Sequence, residues 1–310
     1  MSLQTLSSLP RHGYRLAVRD LESASTNPWR GTVLVVHGLG EHGGRYAHVA
    51  QALRRAGWRV CSYDHYGHGR SDGPRGDLLH EEQLLEDLAA VIDHVRAAGE
   101  ADLTHGESSA GAIRGSPADA ASGPARPFVL LGHSLGGLLV ARAAQQGLRP
   151  LDGVVLSSPA LAADLNAVQR LLLATLPRLA PRLRVDNGVA TDQVCRDPAV
   201  VQAYRDDPLV HRRICVRLAA WVMANGAQVL QGATQWPRPT LLIYAGQDRL
   251  VNRRGSDAFA AAAPTLLVQS HAFEDMFHEI FNDPQQAQVL QMLTGWLERL
   301  GRDTLTSRSG

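Results

Sequence analysis

The chain has 310 residues, long enough for one large α/β domain with an insertion or for two ordinary domains. With 45% hydrophobic and 20% charged residues, its composition supports a sizeable core and excludes a largely disordered chain. Lys and Arg number 31 against 30 Asp and Glu, so the net charge of +1 excludes the broad basic surface that nucleic-acid binding needs.

The N-terminus and the cysteines indicate the compartment. The first 16 residues lack the basic start and the apolar run of a signal peptide. No apolar run approaches the ~18 residues of a membrane-spanning helix. Cys61, Cys195 and Cys215 are widely spaced and odd in number, which favours a reducing compartment over a disulfide framework. We therefore expect a soluble, cytoplasmic protein.

Strand-like and helix-like segments alternate through the first hundred residues. Alternating or β-branched apolar residues predict strands over 14–18, 32–36 and 59–63. Apolar residues three, four or seven apart predict helices over 45–56 and 84–98. This order is typical of an α/β fold.

Residues 99–127 break the pattern, since Ala, Gly, Ser and Pro dominate there. Such a segment buries too little apolar surface to offset its ordering entropy, so we predict a flexible surface insertion. The alternation then resumes, with strands over 128–131, 153–157, 240–244 and 266–269 and helices over 135–146 and 287–300.

A second interruption, residues 159–237, has helical patches and no strong strand signal. The alternation on either side predicts an α/β fold, with a mostly parallel twisted sheet of about eight strands and helices on both faces. We therefore expect a core made of 1–158 and 238–310, with 159–237 as a helical insert.

The sequence Gly-His-Ser-Leu-Gly at 132–136 lies between a predicted strand and a predicted helix. It fits the G-x-S-x-G pattern, in which a sharp strand-to-helix turn exposes one serine hydroxyl, here that of Ser134. The flanking glycines let the two arms pass closely, so that the serine can hold a strained backbone costing ~1–3 kcal/mol. Ser134 is therefore the candidate nucleophile.

A serine nucleophile needs a base and usually an acid to orient it. In this architecture the acid and then the histidine follow the serine along the chain, each in a loop after a strand. Asp248 follows the strand over 240–244, and His278 follows the last predicted strand. Both therefore satisfy the expected order.

Three residues compete for these two roles. His271 lies close to the end of the last strand and stays the minor alternative to His278. Asp64 and Asp275 are alternative acids. Asp64 ends an earlier strand and is better suited to hold its own loop through Arg70 or backbone amides.

Other histidines lie in loops or beside the nucleophile. A metal site would require a tight ligand pair followed by a carboxylate at helical spacing, which the loop histidines lack, so we interpret them as hydrogen-bonding groups. We expect His133 to point away from Ser134 and to have a packing role. The loop histidines are His37, His42, His65 and His68.

The negative charge that develops on a substrate carbonyl oxygen requires pre-aimed hydrogen-bond donors. One should be the backbone N–H of Leu135, directly after the nucleophile. The second should come from the loop after the strand over 32–36, where Leu39 is the best candidate.

Seven blocks of this sequence together resemble the monoacylglycerol lipase and lysophospholipase-like branch of the α/β-hydrolase superfamily. The blocks with HG-x-GEH and YD-x-x-GHG-x-S are the most specific, and they separate this branch from hydrolases that use an aspartate nucleophile. The blocks are VVHGLGEHGGRY (35–46), YDHYGHGRSDG (63–73), LLGHSLGG (130–137), VVLSSPAL (154–161), DPLV (207–210), GQDRLV (246–251) and FHEIFND (277–283).

This resemblance implies an α/β-hydrolase fold with a helical cap over 159–237. It implies a Ser134, Asp248 and His278 triad with Leu39 and Leu135 as oxyanion donors. It also places Glu41 and Arg45 by the polar end of the substrate pocket. Animal members carry a second histidine three residues after the catalytic one, where this chain has Phe281.

We therefore expect a serine carboxylic ester hydrolase that cleaves monoacylglycerols or similar single-chain lipid esters through an acyl-enzyme, without metal or organic cofactor. A lysophospholipase, a short-chain carboxylesterase, an acyltransferase and a non-catalytic binding protein on the same fold stay open.

The predicted cap carries an amphipathic stripe with arginines nearby. Two interpretations of the stripe stay open: it packs onto the sheet, which is the favoured one, or it lines an acyl tunnel and rests transiently on a lipid surface. The stripe comprises Leu165, Val168, Leu172, Leu176 and Leu179, and the arginines are Arg170, Arg178, Arg182 and Arg184.

Overall fold

The structure, a computed structural model, describes residues 5–21, 29–107, 126–164 and 166–308. Its strands and α-helices follow one another in chain order, joined by loops and short 3-10 turns. They are β1 (Thr5–Arg11), β2 (Tyr14–Asp20), β3 (Thr32–Val36), α1 (Ala47–Arg55), β4 (Arg59–Tyr63), α2 (Gln83–Glu107), β5 (Phe128–His133), α3 (Leu135–Gln146), β6 (Gly153–Ser157), α4 (Ala167–Leu179), β7 (Arg184–Asp186), α5 (Pro198–Asp206), β8 (Arg213–Cys215), α6 (Val216–Gln231), β9 (Thr240–Ala245), α7 (Arg254–Ala262), β10 (Val268–Phe273) and α8 (Gln286–Arg308).

Eight strands form one sheet in the order β1-β2-β4-β3-β5-β6-β9-β10. The neighbouring pairs from β4 to β10 are parallel, whereas β2 pairs antiparallel with both β1 and β4. Parallel strands direct their carboxyl ends to one edge of the sheet, so the loops after β3, β5, β9 and β10 meet there. The predicted mostly parallel sheet of about eight strands is confirmed.

The two faces of the sheet bury separate cores. Side chains alternate across a strand, so Leu34 and Leu130 enter the core shared with α2 and α3. Val33 and Val129 enter the core shared with α1 and α8. All four side chains are fully buried. Helices therefore cover both faces, as the apolar periodicity predicts.

Several element boundaries differ from the sequence-based prediction. The helix expected to end near residue 98 continues as α2 to Glu107, because the Ala, Glu and Leu beyond Gly99 are good helix formers. The remainder of the predicted 99–127 insertion, residues 108–125, lies outside the described residues. Strand β1 was not predicted, and its Pro10 is tolerated because β1 is an edge strand.

The insert, residues 159–237, contains the helices α4, α5 and α6 and a small ladder between β7 and β8. The ladder is antiparallel and lies outside the main sheet. Helix α6 carries Leu218 and Trp221 into the core on the α3 face of the sheet. The apolar periodicity of 214–224 therefore belongs to a buried helix, although its first residues form β8.

Helix α4 contradicts the favoured interpretation of the leucine stripe. Leu172 and Leu179 are 45% and 80% exposed instead of packing onto the sheet. Leu171 on the same helix is 65% exposed. Leu165 and the side chains of Val168 and Arg170 lie outside the described residues.

None of the helices in the described part of the chain has both the length and the apolar character needed to cross a bilayer.

Two glycines fix how closely α3 approaches the sheet. A Cβ atom on Gly136 would overlap the carbonyl oxygens of Val36 and His37, at the end of β3. A Cβ atom on Gly132 would overlap the carbonyl oxygen of Gly136. The start of α3 therefore lies against both β3 and β5, as the steric interpretation of the G-x-S-x-G sequence requires.

Substituting Gly136 with alanine tests this close approach. The added methyl group meets backbone that cannot move aside, so Gly136→Ala should lower the free energy of unfolding by about 1–3 kcal/mol. The matched control is Gly295→Ala in α8, whose added Cβ would meet only the flexible end of Arg299, at 3.6 Å. That variant should be more stable than the original by ~0.4–1 kcal/mol. Chemical denaturation measures both, and equal stability of the two variants would contradict the packing.

Candidate active site

Ser134 occupies the turn between β5 and α3. Its φ of 53° and ψ of −117° lie in a region that non-glycine residues rarely adopt. Backbone hydrogen bonds hold this conformation: the N–H of Ser134 donates to Ser157 O at 3.0 Å, and the Ser134 carbonyl accepts from Leu138 and Ala160 at 3.0 Å each. The turn places Ser134 on the wall of a cavity.

His278 and Asp248 form a buried pair at the same edge of the sheet. His278 Nδ1 lies 2.6 Å from Asp248 Oδ2. Asp248 Oδ1 accepts from the backbone N–H groups of Leu250, at 2.9 Å, and Val251, at 3.0 Å. These bonds hold the carboxylate in place and engage His278 through Nδ1. The other ring nitrogen, Nε2, is then left to accept a proton in the cavity that Ser134 and His278 both line.

The protonation states of the pair follow from their contact. Burial by itself lowers the pKa of His278, but the Asp248 carboxylate outweighs it, so the pKa is raised above its ordinary value. Burial by itself raises the pKa of Asp248, but His278 and the two backbone donors lower it. An ionised Asp248 thus stabilises the imidazolium that forms when His278 accepts a proton.

None of the competing candidates, His271, Asp275 and Asp64, lines the cavity. His271 is an exposed residue within β10, with its ring 4.6 Å from that of Phe273. Asp275 is exposed. Asp64 is fully buried and binds the guanidinium of Arg19 and the backbone N–H of Arg70. Asp64 therefore holds its own loop, although its side-chain partner is Arg19 and not Arg70.

The loop after β3 packs against the nucleophile. A Cβ atom on Gly38 would lie 3.2 Å from Ser134 Cβ. The N–H of Gly38 is already used, because it donates to Glu41 Oε1 at 2.6 Å. Leu39, the next residue, lines the cavity, as does Leu135. Both expected oxyanion donors therefore belong to residues at the cavity wall.

Glu41, Arg45 and Glu279 form a buried cluster at this cavity. Arg45 Nη1 donates to Glu41 Oε2 and to Glu279 Oε1, both at 2.6 Å, and its Nη2 donates to Glu279 Oε2 at 2.7 Å. Tyr46 donates its hydroxyl to Glu41 Oε1 at 2.7 Å. The Arg45 guanidinium also stacks on the ring of Tyr204, 4.6 Å from its centroid.

Burial by itself would raise the pKa of Glu41, but Arg45 and the neighbouring donors lower it to about 2. Burial lowers the pKa of Arg45, yet Glu279 and Glu41 raise it well above its ordinary value. Both groups are therefore charged at neutral pH. The resemblance implied that Glu41 and Arg45 lie by the pocket: Glu41 lines the cavity, whereas Arg45 contacts it only through the two carboxylates. Glu279 lines the cavity and was missed, although its signal was an acidic residue directly after the candidate base.

His133 does have a packing role, but it does not point out of the site. Its ring lies 4.7 Å from the ring of His278, and its Nδ1 lies 3.2 Å from Ser157 Oγ. Burial, followed by the neighbouring His278, lowers the pKa of His133 to about 4. His133 therefore presents a neutral ring to the base and lines the same cavity.

The loop histidines make the hydrogen bonds that their loops require. His37 Nδ1 contacts Gly38 O at 2.7 Å, and His37 Nε2 accepts from the N–H of His65 at 3.0 Å. His42 Nε2 lies 2.8 Å from Asp207 Oδ2 of the insert. Across the described ranges, no group of three or more His, Cys, Asp or Glu side chains has the arrangement of a metal site.

Backbone hydrogen bonds tie the insert to the loops of the site. His211 N–H donates to Gly40 O, beside the candidate oxyanion donor, at 2.8 Å. Glu279 N–H, directly after the candidate base, donates to Val194 O of the insert at 2.8 Å. The insert is thus joined to both loops that flank Ser134.

The cavity measures about 230 Å³, several times the ~30 Å³ that one water occupies in the liquid. Its wall combines the polar residues already described with apolar side chains from the insert and from the loop after β9. The apolar lining includes Leu161, Leu173, Val194, Val222, Met223 and Leu250. The site therefore offers a nucleophile at the meeting point of a polar and an apolar wall.

The family described as "Serine aminopeptidase, S33" (Hydrolase_4) matches residues 27–114 and 118–285. A monoacylglycerol lipase of Mycolicibacterium smegmatis is 34% identical over 284 residues, which cover 90% of this chain and 92% of that protein. Phospholipase YtpA of Bacillus subtilis is 27% identical, over 84% of this chain and 92% of that protein. The crystal structure of Paleococcus ferrophilus monoacylglycerol lipase matches with a TM-score of 0.74 and 30% identity, over 93% of this chain and 99% of that chain.

The contact between His278 and Asp248 predicts a pH profile for the reactivity of Ser134. Labelling by a fluorophosphonate should rise as the pH rises through the pKa of His278, since only the neutral ring accepts a proton. In Asp248→Asn the group that raises this pKa is lost, so the acid limb should move to lower pH and the plateau rate should fall by roughly three to four orders of magnitude.

The matched control for that profile is Asp275→Asn, which removes an exposed carboxylate from the same loop as His278. Its profile should equal that of the original protein. If the acid limb of the pH profile shifted in Asp275→Asn and stayed in place in Asp248→Asn, Asp275 would be the acid and our assignment would be wrong.

Proposed function

We propose that this chain, which belongs to the Hydrolase_4 family of α/β-hydrolases, cleaves monoacylglycerols or similar single-chain lipid esters. It is a carboxylic ester hydrolase. The observation that carries this proposal is the arrangement of Ser134 on a strained strand-to-helix turn, beside a His278–Asp248 pair, on the wall of a partly apolar cavity. The family description names a peptidase, but relatives that span nearly the whole chain are named lipases.

The reaction begins when His278 Nε2 takes the hydroxyl proton of Ser134 while the serine oxygen attacks the ester carbonyl. Asp248 holds the imidazole in the required tautomer. The backbone N–H groups of Leu39 and Leu135 stabilise the oxyanion, and losing one such donor typically costs ~100–1000-fold in rate.

The tetrahedral intermediate collapses as His278 returns its proton to the leaving alcohol oxygen. The acyl group is then bonded to Ser134 Oγ. A water molecule gives its proton to His278 and attacks this acyl-enzyme, which releases the fatty acid and restores the serine. No step requires a metal or an organic cofactor.

The insert supplies much of the apolar wall, which suits an acyl chain. Leu173 of α4 and Val222 and Met223 of α6 line the cavity. We therefore assign residues 159–237 as a cap over the site. Phe281, where animal monoacylglycerol lipases carry a histidine, is buried in the core on the opposite face of the sheet, so it supplies nothing to the alcohol end.

A set of three variants tests the enzyme and its base. Ser134→Ala should abolish both fluorophosphonate labelling and hydrolysis of a panel of monoacylglycerols, lysophospholipids, p-nitrophenyl esters and aminoacyl anilides. His278→Ala should lose activity by roughly a thousandfold or more, because the serine then has no base. The matched control is His271→Ala, which replaces an exposed histidine on β10 and should leave the protein fully active.

Labelling that persists in Ser134→Ala would contradict the assignment of Ser134 as the nucleophile of a serine hydrolase. Loss of turnover in His271→Ala alone would transfer the role of base to His271. Turnover of the aminoacyl anilides, without turnover of any ester, would replace the lipid-ester assignment with a peptidase.

We also propose that the cap rests on lipid surfaces. Leu171 and Leu179 on α4 and Leu183 and Val185 just beyond it are exposed by 65%, 80%, 48% and 44%, respectively. Exposed arginines on this segment, Arg178 and Arg184, suit an interface with anionic headgroups. Such contact would deliver a single-chain lipid to the cap without the enzyme being embedded in the bilayer.

A double variant tests this contact. Fully burying a leucine contributes ~1.5–3 kcal/mol, so Leu171→Asp with Leu179→Asp should weaken binding to anionic vesicles at least tenfold. The control is Leu266→Asp, which changes a leucine that is 98% exposed in the loop before β10. Vesicle sedimentation measures binding by the double variant and by the control. Equal binding by the two would contradict a contact made through the cap. Hydrolysis of a soluble short-chain ester should be retained in both.

A further inference from the structure

Two carboxylates, and no arginine or lysine, stand among the described residues that line the cavity. Among the described residues, the ionisable side chains on its wall are Glu41, Glu279, Tyr204 and the rings of His133 and His278. Within the described residues, the wall that Ser134 shares therefore offers carboxylates, and no guanidinium or ammonium group, to the alcohol part of an ester.

Arg45 is not itself part of the cavity lining, and both of its Nη groups bind the two carboxylates. It binds both oxygens of Glu279 and one oxygen of Glu41, and its side chain is 11% exposed. Tyr204 covers the face of its guanidinium. Two carboxylates against one guanidinium leave the cluster with one net negative charge.

Two arginines of the cap form ion pairs with carboxylates outside the cavity lining. Arg196 forms two hydrogen bonds with Asp283, at 2.7 and 2.8 Å. Arg182 pairs with the buried Asp77. Because burial weakens solvent screening, an anionic group brought to this wall meets repulsion that these distant pairs do not offset.

We propose that Glu279, together with Glu41, determines charge selectivity: the cavity admits esters of uncharged alcohols and excludes esters whose alcohol part carries a negative charge. This inference rests on the proposed ester hydrolysis. It sets glycerol esters apart from phosphate-bearing lysolipids, which the fold and the triad alone do not separate.

Glu279 is the member of the cluster whose charge can be removed with least disturbance. Glu41 Oε1 also binds the N–H of Gly38 and the hydroxyl of Tyr46, so changing it disturbs the loop that carries Leu39. Glu279 accepts from Arg45 and from Asn282 Nδ2, at 2.8 Å. Glu279→Gln keeps the shape of the side chain and one carbonyl acceptor.

The experiment compares two substrates that differ by one group: a short-chain monoacylglycerol and the same monoacylglycerol bearing a phosphate on its glycerol. Both are used as monomers in solution. The original protein should hydrolyse the phosphate compound with a much lower kcat/KM. In Glu279→Gln the ratio of kcat/KM for the phosphate compound to that for the neutral one should rise about tenfold or more.

The matched control is Asp283→Asn, which removes another buried carboxylate from an arginine pair a few residues further on, outside the cavity wall. Its substrate ratio should equal that of the original protein. An unchanged ratio in Glu279→Gln, or an equal rise in Asp283→Asn, would overturn the inference. A merely structural role for Glu279 would lower both rates together and leave their ratio unmoved.

Two further measurements keep the inference separate from the proposed function. Raising the salt concentration should increase the phosphate-to-neutral ratio in the original protein, because screening weakens the repulsion. In the Ser134→Ala protein, affinities for the two intact compounds test charge selectivity without turnover, and equal affinities would overturn it. A clear preference for the neutral compound in binding, with no Ser134-dependent hydrolysis in the original protein, would support selectivity and contradict only the ester hydrolase.

Discussion

The close contact between the start of α3 and the ends of β3 and β5 is the constraint on which the site depends. Glycine at 132 and 136 removes the side chains that would keep these backbones apart. With the backbones in contact, Ser134 lies against Gly38, and the loop that carries Leu39 lies beside the N-terminus of the helix that carries Leu135. The nucleophile and both expected oxyanion donors thus have fixed relative positions before any substrate arrives, which is the preorganisation that electrostatic catalysis requires.

Much of this arrangement was predictable because it depends on local sequence and on chain order. Strand periodicity located β3, β4, β5, β6 and β9 within a residue or two, and a parallel sheet brings the loops after such strands to one edge. The order Ser134, Asp248, His278 then favoured the pair that the structure places in contact, with His271 left as an alternative base. His271 is excluded as the base because it lies within β10, which extends to Phe273, and not in the loop that follows it.

The parts that the sequence did not predict depend on contacts between distant segments. Glu279 meets Arg45 from 234 positions away, and a single sequence carries no signal for that pairing. The neutral ring of His133 lies beside His278 because the loop after β10 reaches the end of β5, past the two strands that separate them in the sheet. The exposure of α4 escaped prediction for a related reason: an apolar stripe shows that a helix is amphipathic, but not whether protein or lipid covers its apolar face.

The hydrogen bonds from His211 to Gly40 and from Glu279 to Val194 have a consequence for how the protein responds to heat. Regions of a folded protein open locally at free energies below that of global unfolding. A local opening of the part of the insert that carries Val194 and His211 breaks its bonds to both loops that flank Ser134, while α6 and the eight-stranded sheet keep their shared core. Loss of activity on heating below the temperature of global unfolding would therefore report this local opening. The backbone amides of His211 and Glu279 would exchange with solvent together, ahead of those in the central strands.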